Sequence, residues 1–226
     1  MKLSNDILDK IKEWTSLPYS KECIDEINSL VKDNNEKELE ERFVRDLEFG
    51  TGGMRGLIRN GTNGMNIFVV AKATQGLANY VKKSGVKDPK AAIAFDSRNY
   101  SKEFAREAAI VLASNGIKTY LFEELRPTPE LSYAIRYLGC TTGIVVTASH
   151  NPKEYNGYKV YWNDGAQVVE PHDDGIIDEV KNVKKLSSVK KDDYDTLIKS
   201  GMIEIIGKKV DDAFIDEIIK LNINRD

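Results

Sequence analysis

The sequence predicts an α/β protein: a three-layer α/β/α sandwich around a mixed, largely parallel sheet, preceded by N-terminal helices. Two patterns carry this prediction. Between residues 91 and 162, short apolar runs alternate with amphipathic helical stretches, which is typical of βαβ units. The first 45 residues instead repeat their apolar positions at helical spacing, so helices should come before the sheet.

The stretch 1–45 is predicted to form a helical extension that packs on the rest of the chain. Ile7 and Trp14 share one apolar face of its first helix, and either Ser4 or Asn5 is the predicted cap. A proline then interrupts the pattern, and two further amphipathic stretches follow. Their many charged residues are interpreted as helix faces exposed to solvent.

Two glycine-rich segments follow the extension, and both are predicted to be loops. They span residues 50–56 and 60–64, where clusters of Gly, Asn and Thr are typical of turns. Helical periodicity then returns over 69–83.

The alternating region is predicted to form four strands with helices between them. The predicted strands span 91–95, 118–122, 143–147 and 158–162, and the helices between them span 101–115 and 129–138. Ser101 is the predicted cap of the first of these helices. Gly116 and Gly139 are predicted to end the two helices, because glycine adopts the left-handed conformation of a helix C-terminus.

The last part of the chain is predicted to contain a helix after Pro171, a strand over 202–206 and a helix over 210–221. That last helix stands alone, so residues 207–226 are interpreted as the start of a second domain that is missing. The predicted units are therefore 1–45, 46–206 and 207–226.

Composition excludes several classes of protein. The 226 residues carry a net charge of −3, which argues against a nucleic-acid or membrane-surface binder. No apolar run is long enough to span a membrane, and the N-terminus does not resemble a secretory signal. Cys23 and Cys140 fit neither a zinc site nor a redox motif. Two lone thiols predict a protein of the reducing cytoplasm.

The segment 147–152, Thr-Ala-Ser-His-Asn-Pro, is the first candidate site. It follows a predicted buried strand, and ligand sites in parallel sheets lie at the carboxyl ends of strands. Ser149 would be held there by rigid backbone, and His150 could donate a hydrogen bond to a phosphate. An ordinary turn has the same composition. A serine hydrolase is a third interpretation, but adjacent side chains should point in different directions.

Three further segments could bind a phosphate. In the 50–56 loop, free backbone N–H groups and Arg55 could hold an anion, although a flexible turn is the alternative. Lys159 could point into a cleft or lie on a polar strand surface. Arg98 follows another predicted strand end and has the same ambiguity.

Taken together, these segments resemble the N-terminal part of the α-D-phosphohexomutases, the phosphoglucomutase/phosphomannomutase family. The matching segments are residues 49–56, 61–63, 73–78, 96–98, 127–129, 147–152 and 156–161. The serine motif matches at all six positions and stands in the expected order relative to the others.

The resemblance implies a mechanism and a set of residues. Ser149 would be the phosphoserine that exchanges its phosphoryl group with a hexose phosphate through a bisphosphorylated sugar. The implied catalytic residues are Ser149, His150, Lys159 and Arg55, and the implied phosphate- or substrate-binding residues are Thr51, Gly52, Arg98 and Asn151. The implied cofactors are Mg²⁺, bound through the phosphate of Ser149, and glucose 1,6-bisphosphate as activator.

The resemblance also implies that most of the enzyme is missing. The remaining Mg²⁺ ligands and the sugar-selecting loop would lie beyond Asp226, in C-terminal domains that would be this chain's partners. The chain alone should therefore have little mutase turnover. The alternative is a stand-alone module that binds sugar phosphates without catalysis.

Overall fold

The computed structural model describes residues 3–223 and contains one six-stranded sheet with the order β1-β5-β4-β2-β3-β6. The strands are β1 (Gly53–Leu57), β2 (Lys90–Phe95), β3 (Lys118–Phe122), β4 (Thr142–Val146), β5 (Tyr155–Trp162) and β6 (Ile203–Ile206). β2, β3, β4 and β6 pair in parallel, whereas β5 runs antiparallel to both β1 and β4. The sheet is therefore mixed and largely parallel, as predicted.

Helices cover both faces of this sheet. The helices are α1 (Asn5–Trp14), α2 (Lys21–Lys32), α3 (Glu36–Phe43), α4 (Ile67–Lys83), α5 (Ser101–Ser114), α6 (Thr128–Tyr137), α7 (His172–Asn182), α8 (Tyr194–Lys199) and α9 (Lys208–Lys220). One core cluster joins the sheet to α4, α5, α7 and α8, and a second joins its other face to α6 and α9. The predicted three-layer α/β/α sandwich is confirmed.

The N-terminal helices form a third, separate core. Trp14 lies 5.7 Å from Phe68 of α4, measured between ring centroids, and 5.9 Å from Phe43 of α3. Ser4 is the cap of α1, because its side chain accepts a hydrogen bond from the backbone N–H of Ile7. The aromatic contacts connect α1 and α3 to the start of α4. The predicted domain boundaries remain predictions.

Two predictions about elements were wrong. Residues 53–57 form a strand rather than a loop, because their backbone pairs with β5. Ser101 does not cap α5: it is the first helical residue, Tyr100 precedes it at a φ of 63°, and the Ser101 hydroxyl donates to Asp96 instead. The strand predicted over 158–162 is present but begins earlier, at Tyr155, so Lys159 lies inside a strand. The short helix α8 was not predicted.

Both predicted helix stops adopt the left-handed conformation, with a φ of 82° at Gly116 and 62° at Gly139. Within residues 3–223, no helix has the length and apolar character needed to cross a membrane.

Candidate active site

The segment with Ser149 lies at the carboxyl end of β4, as the strand-end argument predicts. Ser149 is exposed and has a φ of 57°, which places a residue with a side chain in the left-handed region. Its backbone N–H donates to Thr147 Oγ1 at 3.0 Å, and the N–H of Thr147 donates to the Gly157 carbonyl at 3.0 Å. These bonds tie the serine to β5 immediately before the chain leaves the sheet.

Arg98 follows the neighbouring strand β2, and its side chain reaches across to the serine segment. Its two terminal nitrogens donate to four backbone carbonyls of that segment. The acceptors are Ser149 at 2.6 Å, Asn151 at 2.7 Å, Pro152 at 3.0 Å and Tyr155 at 3.1 Å. The third nitrogen, Nε, lies 3.3 Å from Asp96 Oδ2. Arg98 therefore contacts the loop rather than open solvent.

Arg55 reaches the same segment from β1, at the edge of the sheet. Its guanidinium donates to the Asn151 side-chain oxygen at 2.8 Å, while the residue itself is exposed. In the β1–β5 register Arg55 pairs with Gly157 and Gly53 pairs with Lys159. Arg55 and Lys159 consequently point to the same face of the sheet, because side chains alternate along a strand. Lys159 is half-buried.

Thr51 and Gly52 form the tip of a tight turn that leads into β1. Gly50 and Gly53 exchange backbone hydrogen bonds of 2.8 and 3.0 Å across this turn. Gly52 has a φ of 80°, and its carbonyl accepts from the Val160 N–H at 2.9 Å. Thr51 is exposed at the tip, so its hydroxyl can meet a ligand.

The orientation predicted for His150 was wrong. Ser149 Oγ and His150 Nδ1 lie 3.3 Å apart, although the residues are adjacent, because the left-handed φ of Ser149 turns the two side chains toward each other. Within residues 3–223, His150 has no hydrogen-bonded carboxylate to orient its ring, as a hydrolase triad would require. The pair can exchange a proton, but the arrangement does not favour a serine hydrolase.

Two arginines contact the segment that carries Ser149: Arg55 from β1 and Arg98 from the end of β2. Lys159 lies on the same face of the sheet as Arg55. Basic side chains of this kind suit a phosphate dianion. The carboxylate of Asp96 at this edge already accepts from the backbone N–H of Arg98 and from the Ser101 hydroxyl.

The described part of the chain does not form a magnesium site by itself. Residues 3–223 contain no cluster of three His, Cys, Asp or Glu side chains that could hold a metal ion. A phosphate on Ser149 is the one Mg²⁺ ligand that this site would supply, so we derive no step through the metal.

Sequence reasoning missed two contributors to the site. Thr147 accepts the Ser149 N–H, and Asp96 holds Arg98 from behind. The Asp-x-Arg spacing at a strand end was the available signal for Asp96, since a carboxylate two residues before an arginine can hold its Nε. The predicted roles of Ser149, His150, Lys159, Arg55, Thr51, Gly52, Arg98 and Asn151 remain predictions. The fold brings the side chains of Arg55 and Arg98 to the segment with Ser149 and Asn151, and it joins the turn with Gly52 to β5 beside Lys159.

Comparison with known proteins gives the family. The family described as phosphoglucomutase/phosphomannomutase, alpha/beta/alpha domain I, matches residues 46–187. A phosphopentomutase of Pongo abelii is 39% identical over 172 residues, which are 73% of this chain and 28% of that protein. A phosphoglucomutase of Staphylococcus saprophyticus is 36% identical over 197 residues, which are 85% of this chain and 36% of that protein.

A solved structure supports the fold alone. The phosphoglucomutase/phosphomannomutase family protein of Burkholderia thailandensis superposes with a TM-score of 0.57 at 22% identity, over 76% of this chain and 35% of that one. This chain thus spans about a third of the length of the curated relatives it matches. The match to more than half of its residues shows that the chain belongs to the phosphoglucomutase/phosphomannomutase family and carries the α/β/α domain I of that family.

Proposed function

We propose that this chain is the phosphoserine-bearing domain of a mutase that interconverts sugar 1-phosphates and sugar 6-phosphates, with Ser149 as the phosphoryl carrier. One observation carries the proposal: an exposed serine at the end of a buried strand, in a left-handed conformation, within a segment contacted by Arg98 and Arg55. The membership in the family supports the reaction class. Hexose phosphates are the proposed ligands, and downstream domains of the same protein are the proposed partners.

The proposed reaction has two half-reactions: Ser149 gives its phosphoryl group to the sugar, and it then takes a phosphoryl group back. In the first, a sugar hydroxyl attacks the phosphorus on Ser149, so the sugar O–P bond forms while the Ser149 O–P bond breaks. The proton of the sugar hydroxyl is transferred to Ser149 Oγ, and Lys159 and His150 assist this movement; His150 Nδ1 lies 3.3 Å from Ser149 Oγ. In the second, Ser149 attacks the other phosphate of the bisphosphorylated sugar, the sugar O–P bond breaks, and the proton moves from Ser149 Oγ back to the sugar oxygen.

The remaining site residues bind the phosphoryl group and orient the sugar phosphate. Arg55 neutralises the transferring phosphoryl group from the β1 side, and Asn151 fixes the Arg55 guanidinium at 2.8 Å. The turn with Thr51 and Gly52 contacts the sugar phosphate at the mouth of the site. When bound, Mg²⁺ neutralises charge on the phosphoserine. The proposed compartment is the cytoplasm, where free thiols such as Cys23 and Cys140 persist.

The proposal is tested by the intact mass of the purified chain before and after incubation with glucose 1,6-bisphosphate and Mg²⁺. The expected result is one added phosphate that peptide mapping assigns to Ser149. The Ser149→Ala variant should gain none, and Thr147→Ser, which keeps the neighbouring hydroxyl, should still gain it. Failure of the wild-type chain to gain phosphate, when a chain extended by the downstream domains also gains none, would contradict the proposal.

A second measurement addresses turnover. Because positioning supplies most of the catalysis in phosphoryl transfer, the chain alone should convert glucose 1-phosphate to glucose 6-phosphate with little or no turnover. Robust turnover by the 226-residue chain would show that domain I suffices. Phosphate binding without any transfer to Ser149 in either chain would instead favour the stand-alone binding module.

A further inference from the structure

We infer that Arg98 is a positioning residue, which sets the conformation of the Ser149 segment and leaves the phosphate to Arg55. This inference rests on the proposed function for its catalytic meaning. Its structural part, that Arg98 orders the loop, stands on contacts alone.

The donors of Arg98 are already used. A guanidinium carries five N–H groups in a rigid fork. In this structure four hydrogen bonds run from its terminal nitrogens to loop carbonyls, and Nε faces Asp96. The side chain is 13% exposed, so water cannot easily replace these partners. A phosphate oxygen would have to displace a backbone carbonyl to bind Arg98.

The segment with Ser149 needs contacts from elsewhere in the chain to hold its conformation. Ser149 has a φ of 57°, and the left-handed region costs about 1–2 kcal/mol for a residue with a Cβ. Residues 149–152 belong to no helix or strand, and most of this segment is exposed. The Arg98 guanidinium donates hydrogen bonds to the carbonyls of residues 149, 151, 152 and 155. One rigid group therefore fixes the conformation of the whole segment.

Arg98 is itself held in place by Asp96. Asp96 Oδ2 faces Nε, while Asp96 Oδ1 accepts from the backbone N–H of Arg98 and from the Ser101 hydroxyl at 2.7 Å. Ser101 in turn accepts from the buried Asn156 side chain at 3.0 Å. This chain of bonds runs from the end of β2 to the start of β5, so Arg98 acts from a rigid base.

Arg55 provides the contrast. It is exposed, and its one side-chain hydrogen bond among the described residues goes to Asn151, also a side chain. Its remaining donors are accessible to a ligand. The two arginines thus have different roles: Arg98 binds the backbone of the loop, and Arg55 faces the phosphate.

Hydrogen exchange without any ligand tests the structural part. In Arg98→Ala, amides of the peptide spanning 147–157 should exchange at least about tenfold faster than in wild type. Arg55→Ala, the matched control, removes the same charge and should change this exchange by less than about twofold. Arg98→Lys keeps the charge and the aliphatic stem, so it serves if Arg98→Ala fails to fold. A lysine has three donors for four carbonyls, and faster exchange is expected there too.

The rate of Ser149 phosphorylation by glucose 1,6-bisphosphate tests the catalytic part. Arg98→Ala should lower the maximal rate about 10²-fold while the half-saturating concentration changes little. Arg55→Ala should raise the half-saturating concentration. Millimolar guanidinium chloride should partly restore the rate of Arg98→Ala, whereas ammonium should not, because only guanidinium can bind several carbonyls at once.

Unchanged loop exchange in both Arg98 variants would overturn the inference, and so would a raised half-saturating concentration with an unchanged maximal rate. If neither the wild-type chain nor the chain extended by the downstream domains takes up phosphate but the Arg98 variants exchange faster, the proposed function fails and the positioning role stands.

Discussion

Single residues set the geometry of the serine segment, and Gly157 shows how closely they pack. Its nitrogen and carbonyl both take part in hydrogen bonds, and its carbonyl accepts the Thr147 N–H that leads into the segment. A Cβ at this position would lie 2.6 Å from the Thr147 carbonyl and 3.1 Å from the Met54 carbonyl. Both neighbours are backbone atoms, one in β1 and the other directly after β4, so neither can easily move aside. The approach of three strands requires glycine here.

Gly157→Ala is therefore expected to lower the free energy of unfolding by about 1–3 kcal/mol, the usual cost of overpacking. Urea unfolding of the purified variant measures this change. Gly50→Ala is the matched control, because the nearest atom to its Cβ lies 4.0 Å away, and its unfolding free energy should stay within about 0.5 kcal/mol of wild type. Equal stability of both variants would contradict the assignment of strain to Gly157.

At the scale of elements, the sequence predicted the helices and the parallel strands well. The predictions failed where the structure of a segment depends on a distant partner. The segment Gly-Met-Arg-Gly-Leu has two glycines and no apolar alternation, so it lacks the local signals of a strand. It becomes β1 because β5 offers it a hydrogen-bonding edge. Serine is a common helix cap, but the Ser101 hydroxyl donates its hydrogen bond to Asp96 instead. Long-range partners of this kind are invisible in a local pattern.

The site could be predicted to a similar extent. The strand-end argument brought the segments at 96–98 and 147–152 together, and the structure joins them through Arg98. Which arginine faces the ligand was not predictable. It depends on the carbonyl directions of an irregular loop, and these follow from the left-handed φ of Ser149.

The contact between α6 and α9 carries a titratable group. Glu130 is 5% exposed, and its Oε1 has no hydrogen-bond partner among residues 3–223. Burial, followed by the Asp211 carboxylate, raises the pKa of Glu130 to about 7. Arg126 opposes this shift and binds Asp211 through two nitrogens, and Glu123 and Lys208 complete the charges around the pair. A raised pKa means that the folded state holds this proton more tightly than the unfolded chain does.

Glu130 therefore contributes stability that is fully present below the ordinary glutamate pKa and is lost as the pH rises through about 7. Glu130→Gln keeps the neutral form at every pH, so its unfolding free energy should exceed that of wild type at about pH 8 and approach it at about pH 5. Urea titrations at several pH values measure the difference. Glu103→Gln, at an exposed position of α5, should show no such pH dependence.

At the scale of the whole molecule, three apolar cores are stacked around one sheet, and the third joins the N-terminal helices to α4. Trp14 is 3% exposed and contacts Tyr19, Phe43 and Phe68 through ring pairs. The start of α4 thereby contributes to two cores at once, since Ile67 and Val69 also pack against the central cluster. Loss of packing in the third core should therefore lower the free energy of unfolding of the whole sandwich.

Trp14→Ala is expected to lower the free energy of unfolding by about 3–5 kcal/mol, as for large aromatic truncations in cores. Leu17→Ala is the control, because Leu17 is 87% exposed, and its effect should stay within about 0.5 kcal/mol. Circular dichroism and tryptophan fluorescence should follow one transition in wild type, with Trp162 reporting on the central core in the variant. Two separate transitions in wild type would show that the third core unfolds on its own.

The register of β1 on β5 also limits how this segment can evolve. Arg55 and Lys159 reach the same face because Arg55 pairs with Gly157, two residues before Lys159. A single-residue insertion or deletion between positions 157 and 159 would send one of the two cations to the opposite face and bury it against α4. Point substitutions leave this parity intact. Relatives of this chain can therefore carry different side chains in β5. The number of residues between Gly157 and Lys159, however, should not change.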